Sequence, residues 1–298
     1  GSLFTTNRTR NEGGAILSDG LLILSNTTFD GNTALDGISL GDFLIKRVVD
    51  ALRQEFPNLK TFATLSPIMF VLLFAYVFGS AIDIPGVDYK SFLMGGIFVQ
   101  TMIFGATIPG SSLAEDLQKG VMDRFRSLPM ARSAVVIGRT AADVGNNIVT
   151  ITIMSITGLI VGWRITSSFF EALAGYVLLL LFAYSISWVM AYMGLLVRSP
   201  ELFNNASFIV IFPLTFIANT FVPIDNFPTV LKVIAEWNPI SSTVQAVREL
   251  FGNTNPLAPA PDAWPLQNPI LYTLIWVVLF LVIFVPLSVR KYEKTLTA

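Results

Sequence analysis

The stretch Ile270–Val289, ILYTLIWVVLFLVIFVPLSV, decides the fold class of this chain. It is 20 residues long and contains no Asp, Glu, Lys or Arg. An α-helix rises about 1.5 Å per residue, so about 20 apolar residues cross the ~30 Å hydrocarbon core of a bilayer. An uninterrupted apolar run also differs from the alternating pattern of a membrane β-barrel strand. The stretch therefore predicts a transmembrane α-helix.

Five further apolar segments precede it. They run from about Thr61 to Ile82, Phe92 to Gly110, Val144 to Trp163, Phe169 to Val197 and Phe208 to Val222, and the last of these is short and contains Pro213. The composition agrees, because 53% of the residues are hydrophobic and 13% are charged, whereas a soluble domain has about a quarter of its residues charged. The mean hydropathy is +0.65. We predict an all-α polytopic membrane protein with six transmembrane helices.

Lys and Arg are unevenly distributed between the connecting segments, and this distribution predicts the orientation. With six spans, thirteen of these residues fall on the side of the two termini: Lys46, Arg47, Arg53, Lys60, Lys119, Arg124, Arg126, Arg132, Arg139, Arg198, Arg290, Lys291 and Lys294. The opposite side has four, Lys90, Arg164, Lys232 and Arg248. Lys and Arg are enriched in cytoplasmic loops, so we expect both termini in the cytoplasm.

Residues 1–37 differ from the rest because they are polar and rich in Gly, Asn and Thr. Two fragments, GGAILSDG and NTTFDGN, resemble one rung of a right-handed parallel β-helix, although a single rung cannot bury its own face. The alternative is a disordered tail or an artefact of where the sequence begins. We therefore divide the chain into an atypical tail, residues 1–37, and a six-span domain, residues 38–298. Within the latter, Ile38 to about Phe56 predicts an amphipathic helix at the membrane interface or against a partner.

The chain contains neither cysteine nor histidine. Without Cys it has no disulfide, thiolate metal site or cysteine nucleophile, and without His it lacks the commonest metal ligand and general base. The net charge of −1 gives no basic field for nucleic acid. No G-x-x-x-x-G-K-[ST] loop is present to hold nucleotide phosphates. We expect no catalytic residue, metal, cofactor or nucleic-acid partner in this chain.

The segment between the second and third spans, Ser111 to Val144, is the most highly charged part of the chain. Glu115 and Lys119 stand four residues apart, the spacing at which opposite charges pair on a helix. Gly120 and Pro129 interrupt the helical pattern. This order predicts a short helix, a break, and a second helix that enters the membrane. By charge alone, a solvated loop that follows the positive-inside rule is the simpler interpretation.

Arg139 and Asp143 have the same four-residue spacing at the start of that second helix, and we expect them to pair where the helix meets the headgroups. The order of residues in AEDLQKGVMDRFRSLPMARSAVVIGRTAAD closely resembles the cytoplasmic signature of type-2 ABC exporter permeases, in particular the daunorubicin-resistance membrane subunits. The family pattern is an acidic pair, Lys-Gly, Asp-Arg-Phe-Arg-Ser-Leu-Pro and a following Gly-Arg. The resemblance extends from about residue 40 to the carboxyl end.

This resemblance implies a permease that forms a dimer, with a second copy or with a different permease chain, and that is driven by a separate ATP-binding subunit. ATP and Mg would then be bound by that partner subunit. The resemblance also implies that Glu115 to Arg126 is the coupling helix that docks on it. The implied coupling residues are Glu115, Asp116, Leu117, Lys119, Gly120, Asp123, Arg124, Phe125 and Arg126, with Leu117 or Phe125 as the apolar anchor.

Two sets of polar residues are candidates for roles in transport. Gln100, Asn146, Asn147, Ser187 and Asn219 lie in or beside the predicted spans and are candidates for lining a path, although interhelical hydrogen bonding is the alternative. Before the last span, the segment around Asn238 and Pro239 predicts two short amphipathic helices in the outer interface. Trp237, Asn238, Pro239 and Arg248 are candidates for an outer gate, or for a cap that only packs.

We therefore predict the permease subunit of an ATP-driven exporter of hydrophobic or amphipathic compounds, such as drugs, lipids or glycolipids, in the bacterial inner membrane. The chain itself would not be an enzyme. A lipid or polysaccharide export permease is one alternative. Another is an ion-coupled secondary transporter, which requires charged groups in the middle of its spans. An intramembrane transferase or protease would require clustered His, Asp or Glu, which the sequence lacks.

Overall fold

The computed structural model describes residues 15–18, 21–24, 68–69, 71–78, 86–120, 134–197, 199–224, 227–255 and 261–297. The chain divides into two compact units, Gly1–Lys60 and Thr61–Ala298, whereas the sequence analysis places its boundary after residue 37. The amphipathic helix predicted over residues 38–56 lies outside the described residues. Each unit is considered by itself below.

The described part of the first unit is a β-hairpin. Strands β1 (Ala15–Ser18) and β2 (Leu21–Leu24) pair in antiparallel register, with Ala15 opposite Leu24. Rungs of a parallel β-helix pair with their neighbours in the parallel sense, so this pairing differs from the one that the predicted rung would make.

The regular structure described in the second unit is helical, as the apolar blocks predict. A π-helical segment, Phe74–Phe78, lies inside the predicted first span. It is followed by α1 (Tyr89–Gly105), α2 (Thr107–Gln118), α3 (Ala134–Val161), α4 (Phe169–Leu196), α5 (Pro200–Ile217), α6 (Thr229–Trp237), α7 (Pro239–Phe251), α8 (Trp264–Gln267) and α9 (Pro269–Thr297). Five segments in the described part are long and apolar enough to cross a membrane: Tyr89–Gln118, Val136–Val161, Phe169–Leu196, Pro200–Ile217 and Pro269–Lys294. They correspond to the second to sixth predicted spans, and the first span stays a prediction.

The second span is longer than predicted and is interrupted once. Helices α1 and α2 meet at Ala106, whose backbone N–H still donates to Met102 O. Pro109 lies in the first turn of α2 and has no N–H to donate to the carbonyl of Gly105, which explains why the hydrogen-bonding pattern changes here. The span continues to Gln118, eight residues beyond its predicted end.

Two other spans begin earlier than the hydropathy predicts. Helix α3 starts at Ala134 and not near Val144, because its first turns contain charged residues that find partners inside the protein. Helix α5 starts at Pro200, where Ser199 accepts a hydrogen bond from Leu202 N–H and Pro200 occupies the first helical position, both typical of a helix start. It then runs through Pro213, which the sequence analysis treats as an interruption.

The helices pack through contacts in which glycine allows backbones to touch. A Cβ at Gly194 in α4 would lie 2.2 Å from Gly110 O in α2, and a Cβ at Gly110 would lie 2.4 Å from Met190 O. Small residues at such crossings are the usual way in which membrane helices approach closely. An aromatic cluster of Phe98, Trp163, Tyr176 and Phe251 joins α1, the end of α3, α4 and α7, with ring centroids 5.0 to 6.3 Å apart.

Helix α7 is tied to the α3–α4 connection by hydrogen bonds that we call the strap. The backbone N–H of Thr166 donates to Phe251 O at 3.0 Å, and its hydroxyl donates to Gly252 O at 2.6 Å. Trp163 Nε1 donates to Asn253 Oδ1 at 2.7 Å, and Ser167 Oγ donates to Leu250 O at 2.6 Å. Gly252 has φ 71° and a Cβ there would lie 2.4 Å from Thr166 Oγ1, so the turn requires glycine.

Candidate functional site

A cluster of charged and aromatic groups joins three helices beside the 119–133 segment, and we call it the ion-pair cluster (Asp116, Arg139 and Tyr292). Asp116 in α2 accepts a hydrogen bond from Arg139 Nη2 in α3 and forms an ion pair with it. The side chains are 13% and 35% exposed, respectively. The pair therefore fixes the last turn of α2 to the first turns of α3. These two helix ends flank the 119–133 segment.

The carboxyl-terminal helix α9 packs against the same place. Tyr292 is buried, and it lies in an apolar cluster with Leu113 of α2, Val136 of α3 and Trp188 of α4. The Tyr292 hydroxyl has no hydrogen-bond partner among the described residues. Residues of four helices, α2, α3, α4 and α9, thus meet in the apolar cluster beside the ion pair.

The predicted coupling residues are only partly described. Helix α2 ends at Gln118, Lys119 caps it, and Gly120 has φ 63°. The helix therefore stops at Gly120, where the sequence indicates a break, and the coupling role of Glu115 to Arg126 stays a prediction. Asp123, Arg124, Phe125 and Arg126 lie outside the described residues.

The four implied coupling residues that precede Gly120 face different environments. Glu115 and Lys119 pair at 2.6 Å with side chains 49% and 64% exposed, as the spacing predicts. The hydrogen bond from Lys119 to Glu115 raises the pKa of this lysine. Leu117 packs on the apolar cluster around Tyr292, and Asp116 points inward to Arg139. The Glu115–Lys119 face of this helix end is exposed and available to a partner without rearrangement, and a docking role for these residues stays a prediction.

The predicted pairing of Arg139 with Asp143 is wrong. Arg139 binds Asp116, and Asp143 accepts hydrogen bonds from Ser187 Oγ at 2.6 Å and from Asn147 Nδ2 at 3.1 Å. The physical reason is that i,i+4 spacing describes an isolated helix, whereas here α2 and α4 supply competing partners. We call Asp143, Asn147 and Ser187 the carboxylate site.

The candidate path residues divide between separate places. Asn147 and Ser187 belong to the carboxylate site, whereas the neighbouring Asn146 is exposed. Asn219 lies at the end of α5, where its backbone N–H donates to Ser241 Oγ. Gln100 is buried in α1, and its Oε1 has no partner among the described residues. A role for these residues in a path stays a prediction.

The second buried charge forms what we call the Arg248 site (Arg248, Phe92, Asn219 and Thr220). Arg248 is 2% exposed. Its Nε donates to Phe92 O at 2.8 Å, and its Nη2 donates to Asn219 O at 2.9 Å and to Thr220 O at 3.3 Å. The guanidinium carbon lies 3.5 Å from the centre of the Phe92 ring, which adds a cation–π contact. Burial lowers the pKa of Arg248 to about 9, so the group is still a cation at neutral pH.

The four candidate gate residues have different surroundings. Trp237 is exposed and ends α6, and its carbonyl accepts a hydrogen bond from Tyr272. Asn238 caps α7 by accepting from Ile240 N–H and also donates to Leu214 O, and Pro239 is the first residue of α7. Arg248 is buried, and α7 packs against α1, α4 and α9. Two helices divided at Pro239 do occur where the sequence places them, and a gating role stays a prediction.

Tyr292 is a buried residue beside the ion pair that the sequence does not indicate. It lies in α9 with Leu113, Val136 and Trp188 around it, and it has no local signal because each of these residues is more than 100 positions away in the chain. Gly96 lies against Thr220, whose carbonyl oxygen would be 2.0 Å from a Cβ at that position. The described residues contain no group of three or more His, Cys, Asp and Glu able to hold a metal ion.

Comparison with known proteins identifies the class. The model of the ABC-2 type transporter family matches residues 43–251. The daunorubicin resistance ABC transporter permease protein DrrB1 of Streptomyces coeruleorubidus is 33% identical over 201 residues, which are 67% of this chain and 71% of that protein. A putative transport permease, ycf38, of Porphyra purpurea is 23% identical over 197 residues, covering 64% of this chain and 67% of that one. Its counterpart from Cyanophora paradoxa is 22% identical over 216 residues, covering 71% and 74%.

The chain belongs to the ABC-2 type transporter family. It is a multi-pass membrane protein and a transporter permease, as the signature around Lys119 and Arg139 predicts.

Proposed function

We propose that this permease exports hydrophobic or amphipathic compounds, and that a separate ATP-binding subunit drives it. The similarity to a daunorubicin resistance permease favours a drug-like or lipid-like cargo. Family membership favours ATP as the energy source over an ion gradient, the principal alternative that the sequence left open. The chain acts as a dimer of permease subunits in the bacterial inner membrane, with both termini in the cytoplasm.

The ion-pair cluster is the observation that carries this proposal. An ATP-binding subunit can drive a permease only through a segment that it binds and that is in firm contact with the membrane spans. The 119–133 segment is flanked by α2 and α3, and the Asp116–Arg139 pair ties these helices together at its base. A movement of the segment caused by the ATP-binding subunit therefore moves both spans as a unit. The exposed Glu115–Lys119 face provides charged groups that can pair with charges of opposite sign on that subunit.

The test is ATP-dependent accumulation of a fluorescent amphiphile in inverted vesicles that contain this chain and the ATP-binding subunit encoded beside it. Accumulation that needs hydrolysable ATP, and that is lost when the partner's phosphate-loop lysine is replaced by Ala, is the expected result. A Glu115→Arg, Arg124→Glu double substitution should retain the folded permease but weaken co-purification of the partner. If no ATP-binding subunit co-purifies with the native chain, the proposal fails.

A further inference from the structure

Tyr292 carries a buried hydroxyl that the proposed mechanism does not use. The side chain is 1% exposed, in the last part of α9, and it lies in the apolar cluster with Leu113, Val136 and Trp188. Its hydroxyl is enclosed as well and has no hydrogen-bond partner among the described residues. Buried polar groups are almost always hydrogen-bonded, and phenylalanine would fill the same volume without the cost of an unpaired hydroxyl. The hydroxyl therefore requires an explanation other than packing.

The cluster around Tyr292 borders the ion pair on both of the helices that form it. Leu113 belongs to the cluster, and Asp116 follows it by three residues in α2. Val136 belongs to it too, and Arg139 follows by three residues in α3. Residues three apart are neighbours on a helix surface. The charges of Asp116 and Arg139 accordingly both act on the Tyr292 hydroxyl.

Of these two charged groups, the carboxylate is the one that can accept a hydrogen bond from the hydroxyl, because a guanidinium has donors alone. A hydrogen bond from a phenol to a carboxylate is charge-assisted and stronger than one between neutral groups. In the described structure, Arg139 is the group that donates to Asp116. Two donors on two different helices thus border one carboxylate, and one of them is bonded to it.

The two members of the ion pair differ in their access to water. The Arg139 side chain is 35% exposed, so water can replace its partner when the pair opens. The Asp116 side chain is 13% exposed, and an enclosed carboxylate without a donor is strongly unfavourable. Lys119, the nearby cation at the end of α2, is paired with Glu115. A donor already in place beside Asp116 would therefore lower the cost of opening.

We infer that Tyr292 is the second donor of Asp116, to which the carboxylate turns when its pair with Arg139 opens. The exchange releases the start of α3 from α2 and holds α2 to α9 instead. While the pair is closed, α2 and α3 move together; after the exchange, a movement of the 119–133 segment is passed from α2 to α9. The inference rests on the proposed function, for which it supplies a second arrangement of the ion-pair cluster. Tyr292 is a positioning residue, because it acts through Asp116.

A double-mutant cycle on the purified permease in lipid nanodiscs tests the exchange without transport, with the melting temperature as the measurement. In the native background, Tyr292→Phe should leave the melting temperature unchanged or raise it slightly, because it removes an unpartnered hydroxyl. In the Arg139→Met background, Tyr292 is the remaining donor of Asp116. The same change should then lower the melting temperature by about 3 to 6 °C. Substitutions that share no partner have additive effects, so the difference between the backgrounds measures the exchange.

Two controls identify the acceptor and the donor. Asp116→Leu removes the carboxylate, so Tyr292→Phe should have no effect once Asp116→Leu is combined with Arg139→Met. Tyr184 is a partly buried tyrosine of α4 that packs on the same apolar cluster. Tyr184→Phe should therefore change the melting temperature equally in the native and the Arg139→Met backgrounds.

Two results of the cycle would overturn the inference. Equal effects of Tyr292→Phe in the native and the Arg139→Met backgrounds would show that Tyr292 only packs. A loss that persists after Asp116→Leu would show that the hydroxyl has another acceptor. If Arg139→Met does not yield folded permease, Arg139→Lys is the background, since an ammonium lacks the planar fork of the guanidinium. Tyr292→Phe should then lower the melting temperature by an intermediate amount, and an additive result there counts equally against the exchange.

Transport by the complete complex separates this inference from the function on which it rests. Tyr292→Phe should raise severalfold the ATP hydrolysed per amphiphile accumulated, because α9 no longer follows α2. Failure of the native complex to accumulate the amphiphile with ATP would reject the export function, even where the melting temperatures show the exchange. An unchanged ratio in a complex that does accumulate the amphiphile would reject the exchange as a step of transport and leave the export function standing.

Discussion

Arg139 and Arg248 are both guanidinium groups inside the helical unit, and they are neutralised in different ways. Arg139 pairs with the carboxylate of Asp116 on another helix, and its side chain remains 35% exposed. Arg248 is 2% exposed and is held by the backbone carbonyls of Phe92, Asn219 and Thr220. One positive charge is compensated by a negative side chain, and the other by dipoles of the main chain.

This difference means that the ion-pair cluster can rearrange, whereas the Arg248 site cannot. A side-chain ion pair with access to water can open at modest cost, because solvent replaces each partner. The carbonyl of Phe92 belongs to α1, and those of Asn219 and Thr220 belong to the turn that follows α5. Main-chain carbonyls cannot turn toward water as a side chain can, so the three of them define one position for the guanidinium. We therefore expect the ion-pair cluster to transmit motion and the Arg248 site to hold α1, α5 and α7 together.

The largest effect is expected from Arg248→Leu. This change removes the donor that three buried carbonyls share and should cost about 3 to 5 kcal/mol of stability, as loss of one partner of a buried charged arrangement does. The measurement is the melting temperature of the purified permease in detergent, followed by the fraction that remains monodisperse. Arg248→Lys should be intermediate, because an ammonium cannot reproduce the planar fork. A Leu variant as stable as the native protein would contradict the comparison.

Gly96→Ala tests the same region without touching the charge. The new Cβ would lie 2.0 Å from Thr220 O, so α1 and the end of α5 must separate, at roughly 1 to 3 kcal/mol. Gly145→Ala is the matched control, since nothing lies within 4 Å of its Cβ. That control should be neutral or stabilising by up to about 1 kcal/mol, because Ala favours helix. Equal melting temperatures of the two variants would show that the α1–α5 contact is not tight.

Asp116→Asn should affect transport more than stability. The loss of the ion pair should cost about 1 kcal/mol, because Arg139 can turn toward water. ATP hydrolysis by the complex should then continue while amphiphile accumulation falls, since α2 and α3 no longer move together. The exchange Asp116→Arg with Arg139→Asp should restore part of the accumulation. No rescue, together with normal assembly, would indicate that the individual side chains matter and not their pairing.

The smallest stability effect is expected from Glu115→Gln, one residue before Asp116. Its pair with Lys119 is half-exposed on each side, and such pairs are worth at most about 0.5 to 1 kcal/mol. The melting temperature should therefore stay close to that of the native permease. A fall as large as that of Asp116→Asn would show that burial does not distinguish the two pairs.

The sequence predicts the helical class and five of the spans, because long apolar blocks leave few alternatives. It misplaces the start of α3 by ten residues, because hydropathy counts Arg139 and Asp143 as loop residues. Hydropathy does not register that Arg139 donates to Asp116, or that Asp143 accepts from Ser187, inside the protein. The same limitation produced the wrong Arg139–Asp143 pair. Arg248 was placed near a surface because no sequence pattern indicates that backbone carbonyls will solvate it. Local patterns thus predict elements, whereas these sites are made by residues far apart in the chain.

The strap has a consequence for topology mapping. Its hydrogen bonds fix the end of α7 beside the α3–α4 connection, and Lys90 donates to Val161 O at 3.4 Å, so these segments occupy one side of the membrane. The residues around Tyr292 place the end of α9 with the end of α2 and the start of α3 on the other. Because the chain has no cysteine, a thiol introduced at Thr254 or at Lys119 is a unique reporter. An impermeant maleimide that labels whole cells at the first position and not at the second would orient every described span at once.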